Sequence, residues 1–340
     1  MELLRDSFPM VSLAVSAAAL YSRAASSRLR PGFPRFAALL PVAMFFAAAP
    51  LSFTSGNIRG TAGFFLAWLG VFKILLLAAG RGPLDTTLPV HQFVFTAVLP
   101  VKLSRRNGEA GSTASNKAKS ASLVSSAVKL AILVALLKAY QFKDQLHLYV
   151  RLALYGIHIY CFYDFMLPCI AAAGGALGME MEPPFDQPYL ASSLRDFWGR
   201  RWNLIVSAIL RPSVYEPVRA RAGKAAGAFA TFLVSGLMHE AMVYYITHEA
   251  PTGEMLAFFL LHGVSCVAEA LCSRLWAARG WRTPPRPVAT LLVVVYVSAT
   301  AFWWFFPPIC RDGRDDKLLA EWATAAAFLV NAGRKLLGLA

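Results

Sequence analysis

Two groups of polar residues in this 340-residue sequence are of the kinds that carry out chemistry. The first is Ser235-Gly-Leu-Met-His239-Glu240, which lies inside an otherwise apolar stretch. An imidazole takes up and releases a proton near neutral pH, so His239 is a candidate general base. Ser235 precedes His239 by four residues and shares its face of a helix. Glu240 points about 100° away and is predicted to orient a neighbour or to pair with a basic residue.

This first group also has a structural interpretation, in which a carbonyl group of a neighbouring helix satisfies His239. We favour the functional one, because two adjacent ionisable side chains in an apolar span are energetically costly and usually mark a site. The remaining histidines are interpreted as structural, since they stand alone on apolar stretches or at the ends of spans; they are His91, His147, His158, His248 and His262.

The second group lies in residues 178–223, the longest stretch that is too polar to cross a membrane. Within it, residues 195–203 contain two Trp, three Arg, one Asp and one Asn. Guanidinium groups beside aromatic faces suit a ligand with phosphates and an adenine ring. The candidate ligand-binding residues are Trp198, Arg200, Arg201, Trp202 and Arg211. In the alternative interpretation, the Trp side chains form a belt at headgroup depth and the Arg side chains anchor to lipid phosphates.

Local signals predict how this second group is positioned. Three prolines between residues 183 and 188 exclude a regular helix at the beginning of the stretch. Ser193 followed by Asp196 matches a capping box, which predicts a helix that begins there and continues through Asn203 and beyond. Asp196 and Asn203 would then lie on one stripe of that helix, and capping alone is the alternative role of Asp196.

The rest of the chain is dominated by apolar blocks about as long as a membrane crossing. Apolar residues make up 57% of the sequence, in runs of roughly 20 that match about 30 Å of hydrocarbon. We therefore predict an all-α, polytopic membrane protein with a single domain, residues 1–340. The stretch 88–101 is too short for a crossing and is predicted to be re-entrant or interfacial. The nine predicted spans are residues 8–22, 36–54, 60–80, 122–140, 147–173, 224–247, 255–275, 287–306 and 320–337.

The distribution of charge predicts which ends of the spans face the cytosol. The formal net charge is +14, and Lys and Arg concentrate in alternate loops, as expected for cytosolic loops of membrane proteins. This assignment places residues 178–223 and the C-terminus in the cytosol, and it makes residues 103–120 a flexible cytosolic loop. Nucleic acid is not a predicted partner, since the known binding patterns are absent. The five Cys residues form no Cys-x-x-Cys pair, and no metal site is predicted.

Two segments resemble the plant wax synthase family, a branch of the membrane-bound O-acyltransferase superfamily. They are PFDQPYLASSLRDFWGRRWNLIVSAILRPSVYEPV, which begins at Pro184, and ATFLVSGLMHEAMVYYI, which contains His239. The GPL…LP…LPVK pattern between Gly82 and Lys102 is similar to the same family. The resemblance extends over essentially the whole chain. Arg195 departs from the pattern, which has a neutral polar residue there, without affecting a catalytic position.

The resemblance implies an enzyme of the endoplasmic reticulum membrane that esterifies an alcohol with the acyl group of acyl-CoA. The two signature polar residues of the superfamily match His239 and Asn203. The implied product is a wax ester of a long-chain fatty alcohol, with a sterol as the alternative acceptor, because relatives in the same branch esterify sterols. Acyl-CoA is a co-substrate, and no further cofactor is expected. Asn203 is expected either to form a hydrogen bond near the thioester or to orient the His.

The expected chemistry fits these residues. A thioester is already activated, so the reaction requires neither an acyl-enzyme nor a metal ion. A hydroxyl group is a poor nucleophile and needs a base, and burial favours the neutral imidazole that can act as one. Asp196, Ser235 and Glu240 are then supporting residues.

Two other classes of function stay open on the sequence. In a transporter or proton channel, His239 and Glu240 would form a proton relay. Transport predicts broken helices in matching halves of the chain, and no such repeat is visible. In a lipid-binding relative without activity, neither Asn203 nor His239 would be needed. The expected partners are acyl-CoA, a lipophilic alcohol and membrane lipids, and the sequence does not indicate an oligomeric state.

Overall fold

The computed structural model describes residues 4–103 and 112–336, and in these ranges the chain is helical and forms no β-sheet. This confirms the predicted all-α membrane fold. The helices used below are α1 (Phe8–Arg28), α2 (Phe33–Ser52), α3 (Gly56–Ala78), α4 (Val90–Val98), α5 (Ser112–Ala139), α6 (Leu148–Ala176), α7 (Leu204–Leu210), α8 (Glu216–Thr247), α9 (Glu254–Ala278), α10 (Arg286–Thr300) and α11 (Arg314–Leu336).

Eight helices of the described residues are long and apolar enough to cross a membrane, one fewer than predicted. The difference is the last predicted span, residues 320–337, which falls in α11. That helix begins with Arg314, Asp315, Asp316 and Lys317, and Glu321 follows one turn later. Its uncharged stretch, residues 322–333, is therefore too short to cross the hydrocarbon. The prediction of nine spans is not confirmed, and the cytosolic C-terminus stays a prediction.

The predicted re-entrant stretch contains α4, a nine-residue helix that is too short to cross the hydrocarbon. Its last carbonyl groups face Lys73 of α3, a side chain with no exposed surface. The Nζ atom of Lys73 donates to the carbonyl oxygens of Thr96 and Leu99 at 2.7 and 2.6 Å. The ammonium group thus satisfies carbonyls that the end of a helix leaves without partners, and it holds α4 against the bundle.

The predicted loop 103–120 is partly helical, because α5 begins at Ser112. Residues 104–111 of that prediction lie outside the described residues. The wrong boundary has a physical reason: Ser, Thr and Lys at the start of α5 carry the polarity of a loop, although the following alanines favour a helix.

The helix pair α8 and α9 is the part of the fold that positions the site. The two helices approach closely at two glycines: a Cβ atom at Gly236 would lie 2.9 Å from Leu256, and one at Gly263 would lie 3.0 Å from Phe232. Small residues allow such an approach between membrane helices. The chain bends at Gly223 (φ 87°), near the beginning of α8.

Candidate active site

The polar stretch before α7 folds into a short irregular helix that we call the tryptophan segment, residues 194–203. The Ser193 side chain accepts a hydrogen bond from the Asp196 backbone at 2.9 Å, which confirms the predicted start of a helix. One α-helical turn is followed by a wider turn, Phe197–Arg201, and the helix ends there. Trp202 is extended and Asn203 is left-handed, with φ 44°. The prediction of a helix that continues through Asn203 is therefore wrong, and the predicted stripe of Asp196 and Asn203 does not form.

The break has a local cause in the chemistry of asparagine. Asn tolerates the left-handed region better than other residues with a Cβ atom, and it is a strong N-cap. The Oδ1 atom of Asn203 accepts a hydrogen bond from the backbone of Val206 at 3.2 Å, so Asn203 caps α7. Its amide NH2 group makes no hydrogen bond to the described part of the protein and stays available to a ligand.

Two carboxylates fix the tryptophan segment in place. Glu269 of α9 accepts hydrogen bonds from the backbone N–H groups of Leu194 and Arg195 at 2.9 and 3.2 Å. Asp196 forms an ion pair of 2.8 Å with Arg201, and this hydrogen bond raises the pKa of the Arg201 guanidinium. Arg201 also donates to the carbonyl oxygen of Asp186 at 3.1 Å. The Oδ2 atom of Asp196 also accepts a hydrogen bond from the backbone N–H of Ser192 at 3.3 Å, which agrees with the alternative role of Asp196 as a capping residue.

His239 has one ring nitrogen bonded to the protein and one available. Its Nδ1 atom lies 2.7 Å from the backbone carbonyl oxygen of Ser235. A carbonyl can only accept, so Nδ1 carries the proton and Nε2 of the neutral imidazole presents a lone pair. The ring is held between the side chains of Phe259 and Trp68, whose centroids lie 4.1 and 4.8 Å away.

A cavity of about 830 Å³ joins the two predicted groups of residues, and both Asn203 and His239 line it. Along α9 its wall extends from Phe259 to Arg274, fifteen residues apart or about 22 Å of helix. Its inner end, next to His239, is mainly aromatic, with Trp68, Trp198, Trp202, Phe232 and Phe259 in the wall. Its outer end carries four cations, Arg195, Arg211, Lys224 and Arg274.

The predicted site residues divide into those that line this cavity and those that do not. Asn203, His239, Ser235, Trp198, Trp202 and Arg211 line it. Arg200 is exposed and lies outside the lining, as do Arg201 and Asp196, which are paired with each other. Sequence reasoning missed Trp68, Phe259, Lys224 and Arg274, which lie on helices far apart in the chain. Lys224 and Arg274 were signalled only by the basic stretches predicted to face the cytosol, and no signal pointed to Trp68 or Phe259.

Glu240 faces away from the cavity. Its side chain is buried, and its Oε1 atom accepts a hydrogen bond from the backbone N–H of Leu256 at 3.0 Å. Leu256 lies in the first turn of α9, where a carboxylate is favoured by the helix dipole and by N–H groups without partners. Glu240 therefore connects α8 to α9, as a residue that orients a neighbour, and it forms no ion pair among the described residues.

The cations at the outer end differ in whether the protein already neutralises them. Arg211 forms an ion pair of 3.3 Å with Glu216, and Arg195 lies 3.8 Å from Glu269. Lys224 and Arg274 have no ion pair in the described ranges, and they approach the cavity from α8 and α9. In those ranges no group of three or more His, Cys, Asp or Glu side chains could hold a metal ion.

A family model and several relatives of nearly full length match this chain. The family model described as membrane bound O-acyl transferase matches residues 181–261, which include Asn203 and His239. Acyl-CoA–sterol O-acyltransferase 1 of Arabidopsis thaliana is 38% identical over 316 residues, 90% of this chain and 91% of that protein. The long-chain-alcohol O-fatty-acyltransferase of Simmondsia chinensis is 36% identical over 348 residues, 98% and 97% of the two chains. The probable long-chain-alcohol O-fatty-acyltransferase 1 of Arabidopsis thaliana is 37% identical over 307 residues, which make up 87% of this chain and 89% of that protein.

The matched stretches cover nearly the full length of both chains. This similarity confirms the resemblance seen in the two sequence segments. The chain therefore belongs to the membrane bound O-acyl transferase family, in the branch of the plant wax synthases, and is an acyltransferase.

Proposed function

We propose that this enzyme forms wax esters by transferring an acyl group from acyl-CoA to the hydroxyl group of a long-chain fatty alcohol. The observation that carries the proposal is the single cavity that holds an unprotonated His239 Nε2, the amide of Asn203 and a cationic outer end. Its aromatic inner end suits two hydrocarbon chains. Its unpaired cations suit the phosphates of CoA.

The proposed reaction is one displacement without an acyl-enzyme. His239 Nε2 accepts the proton of the alcohol as the alcohol oxygen attacks the thioester carbon. The new C–O bond forms, the C–S bond breaks, and the proton on Nε2 passes to the leaving CoA thiolate. The imidazole is thereby neutral again at the end of each cycle, and acyl-CoA is the only co-substrate needed.

Asn203 supports this step through its amide NH2 group. Its Oδ1 atom is occupied by the Val206 backbone, so the amide nitrogen is directed by a fixed side chain. A donor held in this way stabilises the negative charge that develops on the thioester oxygen during attack. We therefore favour contact with the thioester over orientation of His239, because the Nδ1 atom of His239 is already held by the Ser235 carbonyl.

The CoA head group enters from the outer end of the cavity. Lys224 of α8 and Arg274 of α9 line that end, and neither is neutralised by a carboxylate of the described residues. We propose that they bind the phosphates, with Arg211 of the originally predicted set beside them. Arg200 and Arg201 are left out, because one is outside the cavity and the other is bonded to Asp196.

A sterol is the second candidate acceptor. The observation in its favour is the similarity to a relative named as an acyl-CoA–sterol O-acyltransferase, at 38% identity over most of both chains. The proton-relay alternative finds no support, because Glu240 is bonded to the α9 backbone and points away from the cavity. We place the enzyme in the endoplasmic reticulum membrane, on the resemblance to the plant wax synthases.

The test is an acceptor assay in membranes from cells that lack neutral-lipid synthesis. Membranes with the expressed chain receive labelled acyl-CoA together with a fatty alcohol, a sterol or diacylglycerol in separate reactions. We expect labelled wax ester with the fatty alcohol at the highest rate. A higher rate with the sterol would replace wax ester synthesis by sterol esterification, and the absence of any ester at full expression would overturn the proposed function.

A further inference from the structure

His262 is a buried side chain of α9 that lies behind the wall of the cavity and was interpreted from sequence as structural. It has no exposed surface. Both of its ring nitrogens are nevertheless bonded to other side chains. Trp198 Nε1 lies 3.1 Å from His262 Nδ1, and Thr300 Oγ1 of α10 lies 2.9 Å from His262 Nε2. Both nitrogens of this buried ring are thus satisfied, and one of their partners, Trp198, lines the cavity.

The indole N–H at one end of this chain of hydrogen bonds and the backbone carbonyl at the other determine which atom donates and which accepts in each bond. The indole of Trp198 can only donate, so Nδ1 of His262 carries no proton and accepts. Nε2 must then carry the proton of the neutral ring and donate it to Thr300 Oγ1. The Thr300 hydroxyl in turn donates to the backbone carbonyl of Tyr296 at 2.8 Å. His262 is thus held as one tautomer that presents an acceptor to Trp198.

Trp198 connects the two halves of the active site. It belongs to the tryptophan segment, which ends at Asn203, and its ring lines the cavity. Its ring centroid lies 5.6 Å from that of Phe259, which in turn stacks on His239 at 4.1 Å. One aromatic ring therefore separates Trp198 from the general base. Any rotation of the indole changes the space between His239 and the segment that carries Asn203.

We propose that His262 is a positioning residue of the acyl-transfer site. Through its bond to the indole N–H it fixes the Trp198 ring, and with it the tryptophan segment, against the helix pair that carries His239. It acts without touching the substrates, since it does not line the cavity. This inference rests on the proposed function, because the step that it positions is the acyl transfer.

The test is a double-mutant cycle between the two bonded residues, with Trp198→Phe and His262→Leu made singly and together. Each single variant is expected to lower kcat about tenfold at nearly unchanged KM, which corresponds to the loss of one net hydrogen bond. The double variant is expected to lose no more than the worse single variant. Losses that multiply, or wild-type kcat in His262→Leu, would overturn the proposal.

A conservative variant and a matched control separate positioning from simple filling of the core. His262→Asn places an amide oxygen near the position of Nδ1, and it should recover most of the kcat that His262→Leu loses. His158→Leu removes another buried histidine, which is bonded to Tyr140 and not to the cavity wall. It should leave kcat unchanged. Equal losses in His262→Asn and His262→Leu would contradict a role through Trp198.

A spectroscopic measurement keeps the inference separable from the proposed function. In ¹⁵N-tryptophan protein in micelles, the Trp198 indole signal is assigned by its loss in Trp198→Phe. We expect this signal to shift in His262→Leu and to keep its position in His158→Leu. If the wild-type enzyme forms no ester, the proposed function fails while the signal still reports the bond. If the enzyme is active but the signal does not move in His262→Leu, the positioning role fails.

Discussion

The imidazole of His239 donates its Nδ1 proton to the backbone carbonyl of Ser235, one helical turn earlier, over 2.7 Å. The tautomer of the proposed base is thus set by the helix that carries it, and no carboxylate of the described residues takes part. This differs from catalytic triads, in which an acidic side chain orients the His. In the proposed mechanism, because a carbonyl adds no charge, the imidazolium would return its proton readily to the leaving thiolate.

Replacement of His239 by Ala should remove the base and leave the cavity open. General-base catalysis contributes about 10² to 10⁴ in rate, so kcat should fall by that factor while KM for acyl-CoA changes little. Initial rates of ester formation in membranes with equal amounts of each variant provide the measurement. Full activity of His239→Ala would remove the proposed mechanism and leave the family assignment intact.

Replacement of Ser235 by Ala is the matched control for that experiment. The bond to His239 uses the Ser235 carbonyl, which Ala retains, so kcat should stay within about twofold of the wild type. The same rate assay applies, with the thermal midpoint in detergent as the measure of folding. A loss comparable to that of His239→Ala at an unchanged midpoint would show that the hydroxyl, and not the carbonyl, supports the base.

Asn203→Asp separates the two roles of Asn203. Asp keeps an oxygen to cap Val206 and tolerates the left-handed backbone, but it lacks the amide NH2 group. The variant should therefore fold as the wild type does and lose about 10²-fold in kcat, the typical effect of removing one donor from a developing oxyanion. Wild-type kcat in Asn203→Asp would mean that Asn203 acts only as a helix cap.

Much of the fold could be predicted from the sequence, and so could the two residues at the centre of the candidate site, for a common reason. Apolar runs of span length give the membrane helices directly, and an ionisable His239 within such a run is conspicuous. Asn203 stood out within a dense polar segment and matched the family pattern. These features depend on residue type and local spacing, which the sequence shows without any tertiary information.

The features of the candidate site that could not be predicted from the sequence depend on contacts between distant segments. Trp68 and Phe259 are ordinary apolar residues until α3 and α9 bring them against His239. Arg200 and Arg201 looked alike, yet Asp196 lies where it can neutralise only one of them. The helix break at Asn203 had a local signal, since Asn favours both caps and the left-handed region, but the surrounding helical pattern outweighed it.

Glu269→Gln should loosen the tryptophan segment. The carboxylate accepts from two backbone N–H groups with its two oxygens, whereas an amide has one oxygen. Loss of one such cap costs about 1 kcal/mol, so the thermal midpoint in detergent should fall, and kcat should fall with it. Glu216→Gln is the control, because Glu216 is exposed and its one ion pair among the described residues is with Arg211. An equal midpoint for both variants would contradict this role of Glu269.

Lys224→Ala and Arg274→Ala should weaken the binding of acyl-CoA without slowing the chemical step. Each cation is exposed at the outer end of the cavity, so solvent screens its attraction for a phosphate, and KM should rise only about threefold per residue. The double variant should show about the product of the two effects. The increase should be largest at low salt, since added ions screen the same attraction.

The matched control for these cations is Arg200→Ala, since Arg200 is equally exposed but does not line the cavity. It should leave KM unchanged, and a rise equal to that of Arg274→Ala would point to a general effect of surface charge. A donor without the nucleotide, an S-acyl pantetheine, gives the sharper comparison. It carries no nucleotide phosphates for Lys224 and Arg274 to bind, so both variants should use it as well as the wild type does. If they lose activity toward this donor as well, the two cations support the walls of the cavity and do not bind phosphate.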